Sequence, residues 1–283
     1  MTIKIRKAER KSAKLRLLFA GGSGSGKTYS ALLCARAFAD WKDIVIIDTE
    51  NSSSDLYAHL GDYMVVDLDN HSPEAYIEAI KAIEDFGAKV IIIDSISHEW
   101  EWCTAHNSQL AGNSFTNWAK TGERHNKFVS AMLNSKCHII ATSRTKQEYV
   151  IEKENGRTKI NKLGLKTVQR DGIDYEFTIM FDVDSQHFCT VSKDRTGLFV
   201  DKPSFVFTTE HGNSIVEWCN NGTTVEDVKK LVLAAESKKD LISLWKTYPS
   251  FQSEIKAVFT NQKNKLDAIV ADTKSTPIDS KTA

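Results

Sequence analysis

The chain has 283 residues, enough for one large domain or one domain with a small appendage. Hydrophobic residues at 41% and charged residues at 26% exclude wholesale disorder. Lys+Arg and Asp+Glu both number 37, so net charge cannot draw a polyanion to the chain; only a local patch could.

In chain order, residues 1–14 carry Lys4, Arg6, Lys7, Arg10, Lys11 and Lys14 against Glu9. They read as a basic arm, either solvated or in contact with phosphate or a partner. Leu15–Ala20 is a short apolar strand and Lys27–Phe38 a helix of good helix formers. Ile44–Ile47 is β-branched throughout, as expected of a strand buried on both faces. Pro73–Phe86 places Tyr76, Ile77, Ile80 and Ile83 on one helical face, with Asn70 to Ser72 as its cap region. Val90–Ile93 is another buried strand, Ala119–Leu133 a helix, and Cys137–Thr142 a further strand. This alternation predicts an α/β fold with a mostly parallel sheet covered on both faces.

From about Asn155, glycines at 156, 164 and 172 and many cations predict a long loop region. Glu176–Asp182, His187–Ser192 and Ser204–Thr208 follow as later strands. Val225–Ala235, Lys239–Tyr248 and Ile255–Ala268 read as helices. The expected organisation is therefore an arm over 1–14, an α/β core over 15–222, a helical appendage over 223–270 and a disordered polar tail over 271–283. No apolar run approaches the roughly 18 residues of a membrane span, and no apolar stretch precedes a cleavage-like site. Five scattered cysteines (Cys34, Cys103, Cys137, Cys189 and Cys219) fit a reducing, intracellular setting.

Gly21-Gly22-Ser23-Gly24-Ser25-Gly26-Lys27-Thr28 matches Gly-x-x-x-x-Gly-Lys-[Ser/Thr] in full, with a strand before it and a helix after. Glycines let the backbone turn tightly and aim consecutive N–H groups at phosphate oxygens. The following helix points its positive end at the same charge. Lys27 is expected to reach the β and γ phosphates and Thr28 to ligate Mg²⁺. Asp94, at the end of the strand Val90–Ile93, is the expected carboxylate partner of Mg²⁺, through water.

Ser95 follows Asp94, where many motor ATPases carry Glu, so the general base must lie elsewhere. The strand at 44–47 runs into Asp48-Thr49-Glu50, at the carboxyl edge where ligands of open α/β sheets sit. Glu50 is the candidate to polarise the attacking water, against a solvated strand end or helix cap.

The order of phosphate loop, strand ending Asp-Thr-Glu, Tyr57 seven residues after Glu50, and strand ending Ile-Asp-Ser resembles the RecA-type recombinase ATPase core. More closely, it is similar to short bacteriophage ATPases built on that core and implicated in single-strand annealing and recombination. The stretches that carry this are Gly-Lys-Thr-Tyr-Ser-Ala-Leu at 26–32 (with Tyr29), Asp-Ser-Ile-Ser-His-Glu-Trp at 94–100, and His-Ile-Ile-Ala-Thr-Ser-Arg-Thr-Lys at 138–146. The resemblance implies ATP and Mg²⁺ as ligands, Glu50 as catalytic base and Tyr57 stacked on adenine. It also implies a homo-oligomer in a bacterial host's cytoplasm, with a single-strand-binding protein as a further partner. Lys193 and Arg195 would reach a neighbouring subunit's ATP, as an arginine finger does. Their alternative is an exposed charged turn. A polar residue among Ser143, Arg144 and Gln147 would sense nucleotide state and pass it to a DNA loop.

Between residues 144 and 170, Arg144, Lys146, Lys153, Arg157, Lys159, Lys162, Lys166 and Arg170 face three glutamates, a net of about +5. Such a patch binds single-stranded DNA in a salt-sensitive, sequence-independent way, with Tyr149 as a stacking surface; the plain alternative is a solvated hairpin. A second loop is expected over His106–Trp118, with Phe115 in it. Trp100 and Trp102 read as core or interface anchors. Cys103 and His106 have C-x-x-H spacing but no paired Cys-x-x-Cys, which does not make a zinc site. Two other functions compete: an AAA-type replication ATPase such as a helicase loader, and a P-loop small-molecule phosphotransferase with the basic segment as its lid.

Overall fold

The computed structural model describes residues 14–154, 157–220, 225–248 and 251–274; within these, the side chains of 148–164, 220 and 268–274 lie outside the description. The chain divides into two compact units, the larger being Lys14–Val216 and the smaller beginning at Glu217. The basic arm expected over 1–14 lies outside the described residues except for Lys14.

The larger unit is α/β with a mostly parallel nine-stranded sheet. Its strands are β1 (Arg16–Gly21), β2 (Ile44–Asp48), β3 (Met64–Asp67), β4 (Val90–Asp94), β5 (His138–Glu154), β6 (Arg157–Thr167), β7 (Ile179–Val183), β8 (Phe188–Asp194) and β9 (Phe205–Val206). The order is β3-β2-β4-β5-β1-β7-β8-β9. Pairing is parallel from β3 to β7, and β8 and β9 are antiparallel. β1, β2 and β4 are buried at every position because helices cover both faces, which is why their sequences are apolar runs rather than alternations.

Helix α1 (Lys27–Phe38) packs on β1, β4 and β5. The other face of the sheet meets α2 (Pro73–Phe86) and α4 (Ser114–Asn134), where Leu18, Ile47, Tyr76, Ile80, Ile91, Phe128 and Ile139 share one core. Ser72 caps α2 by accepting from the Ala75 N–H, Pro73 opens its first turn, and Gly87 closes it in the left-handed region. Helix α3 (Ser97–Gln109) and helix α5 (Thr209–Asn220) complete the element order around the sheet, and α5 runs across the division at Val216. Gly212 of α5 lies against α1 so closely that a Cβ would stand 2.7 Å from the Ala37 Cβ. A Phe cluster (Phe19, Phe181, Phe199, Phe205 and Phe207) fills the space around β1, β7 and β9.

Three expectations change. The segment read as a loop from Asn155 is an antiparallel ribbon: β5 runs on past the sheet and pairs with β6 from Thr145↔Thr167 to Glu154↔Arg157. The expected loop over His106–Trp118 shrinks to Leu110–Asn113, because α3 continues to Gln109 and α4 starts at Ser114, capped by Asn113. The strand expected over Glu176–Asp182 begins only at Ile179, after a 3-10 turn at Ile173–Glu176.

The smaller unit contains α6 (Val225–Leu233), α7 (Lys238–Thr247) and α8 (Gln252–Lys274). Val228, Val232, Phe251 and Ile255 form its core, and Ala235, Leu241 and Leu266 a second cluster. α8 reaches Lys274, inside the segment expected as tail; residues 275–283 lie outside the described residues.

Candidate nucleotide site

The phosphate loop leaves β1 at Gly21 and enters α1 at Lys27. Gly24 and Gly26 adopt φ of 72° and 92°, which only glycine takes readily. A Cβ on Gly21 would stand 2.4 Å from the Val183 carbonyl oxygen, so the β7 end needs glycine there. Ser25 Oγ is buried without a hydrogen-bond partner. Lys27 is buried and donates from Nζ to the Gly22 carbonyl at 2.8 Å, folded back on its own loop. Burial lowers its ammonium below the usual range, while Asp94 and Glu50 pull it back up. An orphan hydroxyl and a cation turned inward fit a ligand rich in anionic oxygen.

Thr28 donates from Oγ1 to Asp94 Oδ2 at 2.6 Å. Asp94 is almost fully buried, and Thr142 donates to its other oxygen. Desolvation raises the carboxyl, and the two hydroxyls oppose that rise. A hydroxyl and a carboxylate form an all-oxygen donor set, which suits Mg²⁺. Thr142 reaches Asp94 because β5 lies beside β4, with Ala141 opposite Ile93.

The sequence profile of an AAA domain family matches residues 13–216. The chain belongs to this AAA domain family. The match spans the whole strand-loop-helix site and ends where the larger unit ends. No curated protein matches the chain significantly.

In this AAA domain the β2 end is organised by Asp48. Its carboxylate accepts the Glu50 N–H at 2.7 Å and the Ser54 N–H at 2.8 Å, so Asp48 shapes the turn and Glu50 alone points its acid outward. Thr49 ties this turn to the β4 end: it bonds the Asp94 carbonyl at 3.1 Å, the Ser95 N–H at 2.9 Å and His98 Nδ1 at 2.7 Å. Glu50 Oε1 accepts from Arg144 Nε at 3.0 Å. Arg144 stands opposite Gly21 in the β1–β5 register, beside the phosphate loop. Ser143, a fellow sensor candidate, is buried instead, with Oγ 3.0 Å from Ser97 Oγ. Thr142 is the residue of this strand that touches the Asp94 carboxylate, and sequence reading missed it.

Beside the loop opens a cleft of about 340 Å³ lined by Gly24, Gly26, Tyr29, Ser30, Tyr57 and His187, among others. The Tyr29 and Tyr57 ring centroids are 5.9 Å apart. His187 is new here: its ring lies against the phosphate loop, and nothing in its local sequence marks it.

Lys193 and Arg195 sit far from this place. β8 is antiparallel, so Asp194 pairs with Ile179 near the start of β7, while the loop lies at the far ends of β1 and β7. Lys193 Nζ donates to the Asp174 carbonyl and Arg195 Nη2 to the Tyr175 carbonyl, the latter at 2.7 Å. They share a side, as i and i+2 spacing predicts, but cannot serve their own chain's loop.

Of the DNA candidates, Lys146 is exposed, Lys166 pairs with Asp171 at 2.9 Å, and Arg170 donates to Asn126 at 2.9 Å. Lys153, Arg157, Lys159 and Lys162 lie on the ribbon with side chains outside the described residues, as does Tyr149. Trp100 is half-buried, packing near Trp118 and His125, while Trp102 stacks on His106 beneath Arg124. Cys103 meets Glu99 and His125 rather than His106.

Proposed function

We propose that the chain hydrolyses ATP with Mg²⁺ and couples turnover to single-stranded DNA in strand annealing or recombination, in a phage or prophage setting. The observation that carries this reading is the Glu50–Arg144 pair. Glu50 is the outward acid at the β2 end, and Arg144 ends the sheet portion of the strand that becomes the basic ribbon. A base held by that cation is poor at polarising water, and DNA drawing on the ribbon would release it. Thr28 and Asp94 would hold Mg²⁺, which would supply charge neutralisation on the triphosphate. Lys27 and the loop N–H groups hold the phosphates; Tyr29 and Tyr57 line the base cleft. Lys193 and Arg195 act on the nucleotide of a neighbouring subunit in a homo-oligomer. Recombination as the setting rests on the motif resemblance, and a single-strand-binding protein remains a proposed partner on the same ground.

The test is the ATPase rate with and without single-stranded DNA, in low and high salt. DNA stimulation that salt abolishes is the expected result. Turnover indifferent to DNA, with phosphate passing to a small acceptor, would overturn the reading in favour of a phosphotransferase.

A further inference from the structure

The turn between β7 and β8 abuts the phosphate loop at two points. The Val183 carbonyl oxygen lies where a Cβ of Gly21 would stand, and His187 Nδ1 is 2.9 Å from the Ser25 carbonyl oxygen. A carbonyl only accepts, so this bond requires a hydrogen on Nδ1. The ring also closes on Gly26, where a Cβ would be 3.1 Å from Nδ1.

We propose that His187 is a positioning residue of the phosphate loop, holding the Ser25 carbonyl outward so that the neighbouring N–H groups stay turned toward phosphate. This rests on the nucleotide reading above. A loop binds anions only while its N–H dipoles converge, and an inward carbonyl would put a partial negative charge against the triphosphate. A donor outside the loop biases that choice.

The turn is built to hold the ring. Asp184 Oδ1 accepts the N–H groups of Gln186 at 2.8 Å and Phe188 at 2.9 Å. The Asp184 carbonyl accepts the His187 N–H at 3.1 Å, and the Asp184 N–H donates to the Phe188 carbonyl at 3.0 Å. His187 itself sits at φ 69°, a conformation in which glycine or asparagine would meet less strain. The ring hydrogen bond accounts for a histidine there. Because the ring also lines the base cleft, a role at the phosphates and a role at the base must be separated by experiment.

Calorimetry with Mg-ATP and with Mg-tripolyphosphate, which has no base, separates them. His187→Gly suits the backbone and deletes the donor; His187→Asn suits the backbone and keeps an N–H donor near the Nδ1 position. The expectation is that His187→Gly weakens both ligands by about tenfold and that His187→Asn restores most of the loss. Loss toward ATP alone would assign the ring to the base and overturn the proposal. So would equal loss in both variants, or no loss in either. Failure of the unaltered chain to bind ATP would instead remove the nucleotide reading itself.

Discussion

Arg144 Nε lies 3.0 Å from Glu50 Oε1, joining the point where β5 leaves the sheet to the turn after β2 across the intervening β4. Both side chains are partly exposed, so the pair contributes on the order of 1 kcal/mol and can open readily. Arg144→Ala should raise the DNA-independent hydrolysis rate by about fivefold and remove most of the stimulation by DNA. Steady-state phosphate release measures both. A lower basal rate would mean that Arg144 assists hydrolysis rather than restraining it.

Asp94, the proposed Mg²⁺ carboxylate, sits where its ionised form costs stability. Burial raises its carboxyl above the ordinary value, so the folded chain keeps that proton to higher pH than the unfolded chain does. Ionised Asp94 therefore costs stability as pH rises past the unfolded value. Asp94→Asn should melt higher than the parent at pH 7 without Mg²⁺, with the gap closing as pH falls through the carboxylate range. It should also lose Mg²⁺-dependent nucleotide binding. A lower melting point at pH 7 would contradict this reading.

Glu99 is a second buried acid, paired with His125 Nδ1 at 3.0 Å and approached by Cys103 Sγ at 3.2 Å and Gln169 Nε2 at 3.4 Å. It joins α3, α4 and the segment returning from the ribbon. Breaking such a pair leaves a buried polar group short of a partner, and His125→Leu should lower unfolding free energy by about 1–3 kcal/mol in urea titration. Replacing both, as Glu99→Met with His125→Leu, should recover most of that. Losses that simply add would argue against the pair.

His138 accepts the Leu15 N–H at Nδ1 and is held neutral, pushed down to about 3 by burial, then by Lys14 and Arg16. Between its ordinary value of 6.5 and about 3 the unfolded chain binds the proton and the folded chain does not, so stability is lost as pH falls below 6.5. His138→Asn retains an acceptor without that titration. Its melting temperature should vary less than the parent's between pH 6.5 and 4; an unchanged slope would assign acid sensitivity elsewhere.

Lys193 and Arg195 stand at the sheet edge away from their own phosphate loop, so any role in hydrolysis is in trans. A chain carrying Lys27→Ala and one carrying Lys193→Ala with Arg195→Ala should each be inactive alone and partly active when mixed. No recovery on mixing would exclude the shared site.

The site's frame is legible in the sequence wherever chemistry and burial coincide. The loop at 21–28 needs its glycines, β2 and β4 announce themselves as unbroken aliphatic runs, and α2 carries both caps and an apolar face. α3 leaves no such trace: the side it buries is Ser97, Glu99, Cys103 and Asn107, which bond mostly to other elements (Ser97 to Ser143, Glu99 to His125, Asn107 to Thr121), so no apolar stripe forms. β3 is an edge strand with exposed ends. The ribbon's glycines suggested a loop because its pairing lies beyond the core that periodicity reports on. Thr142 and His187 come to the site only through register and turn geometry, and sequence distance hides both.

The most direct measurement is single-turnover hydrolysis of Mg-ATP by Glu50→Gln. If Glu50 polarises the attacking water, the variant binds ATP like the parent and its chemical step slows by about 10²-fold or more, with or without DNA. Hydrolysis at the parent's rate would place the base elsewhere and contradict the proposed site.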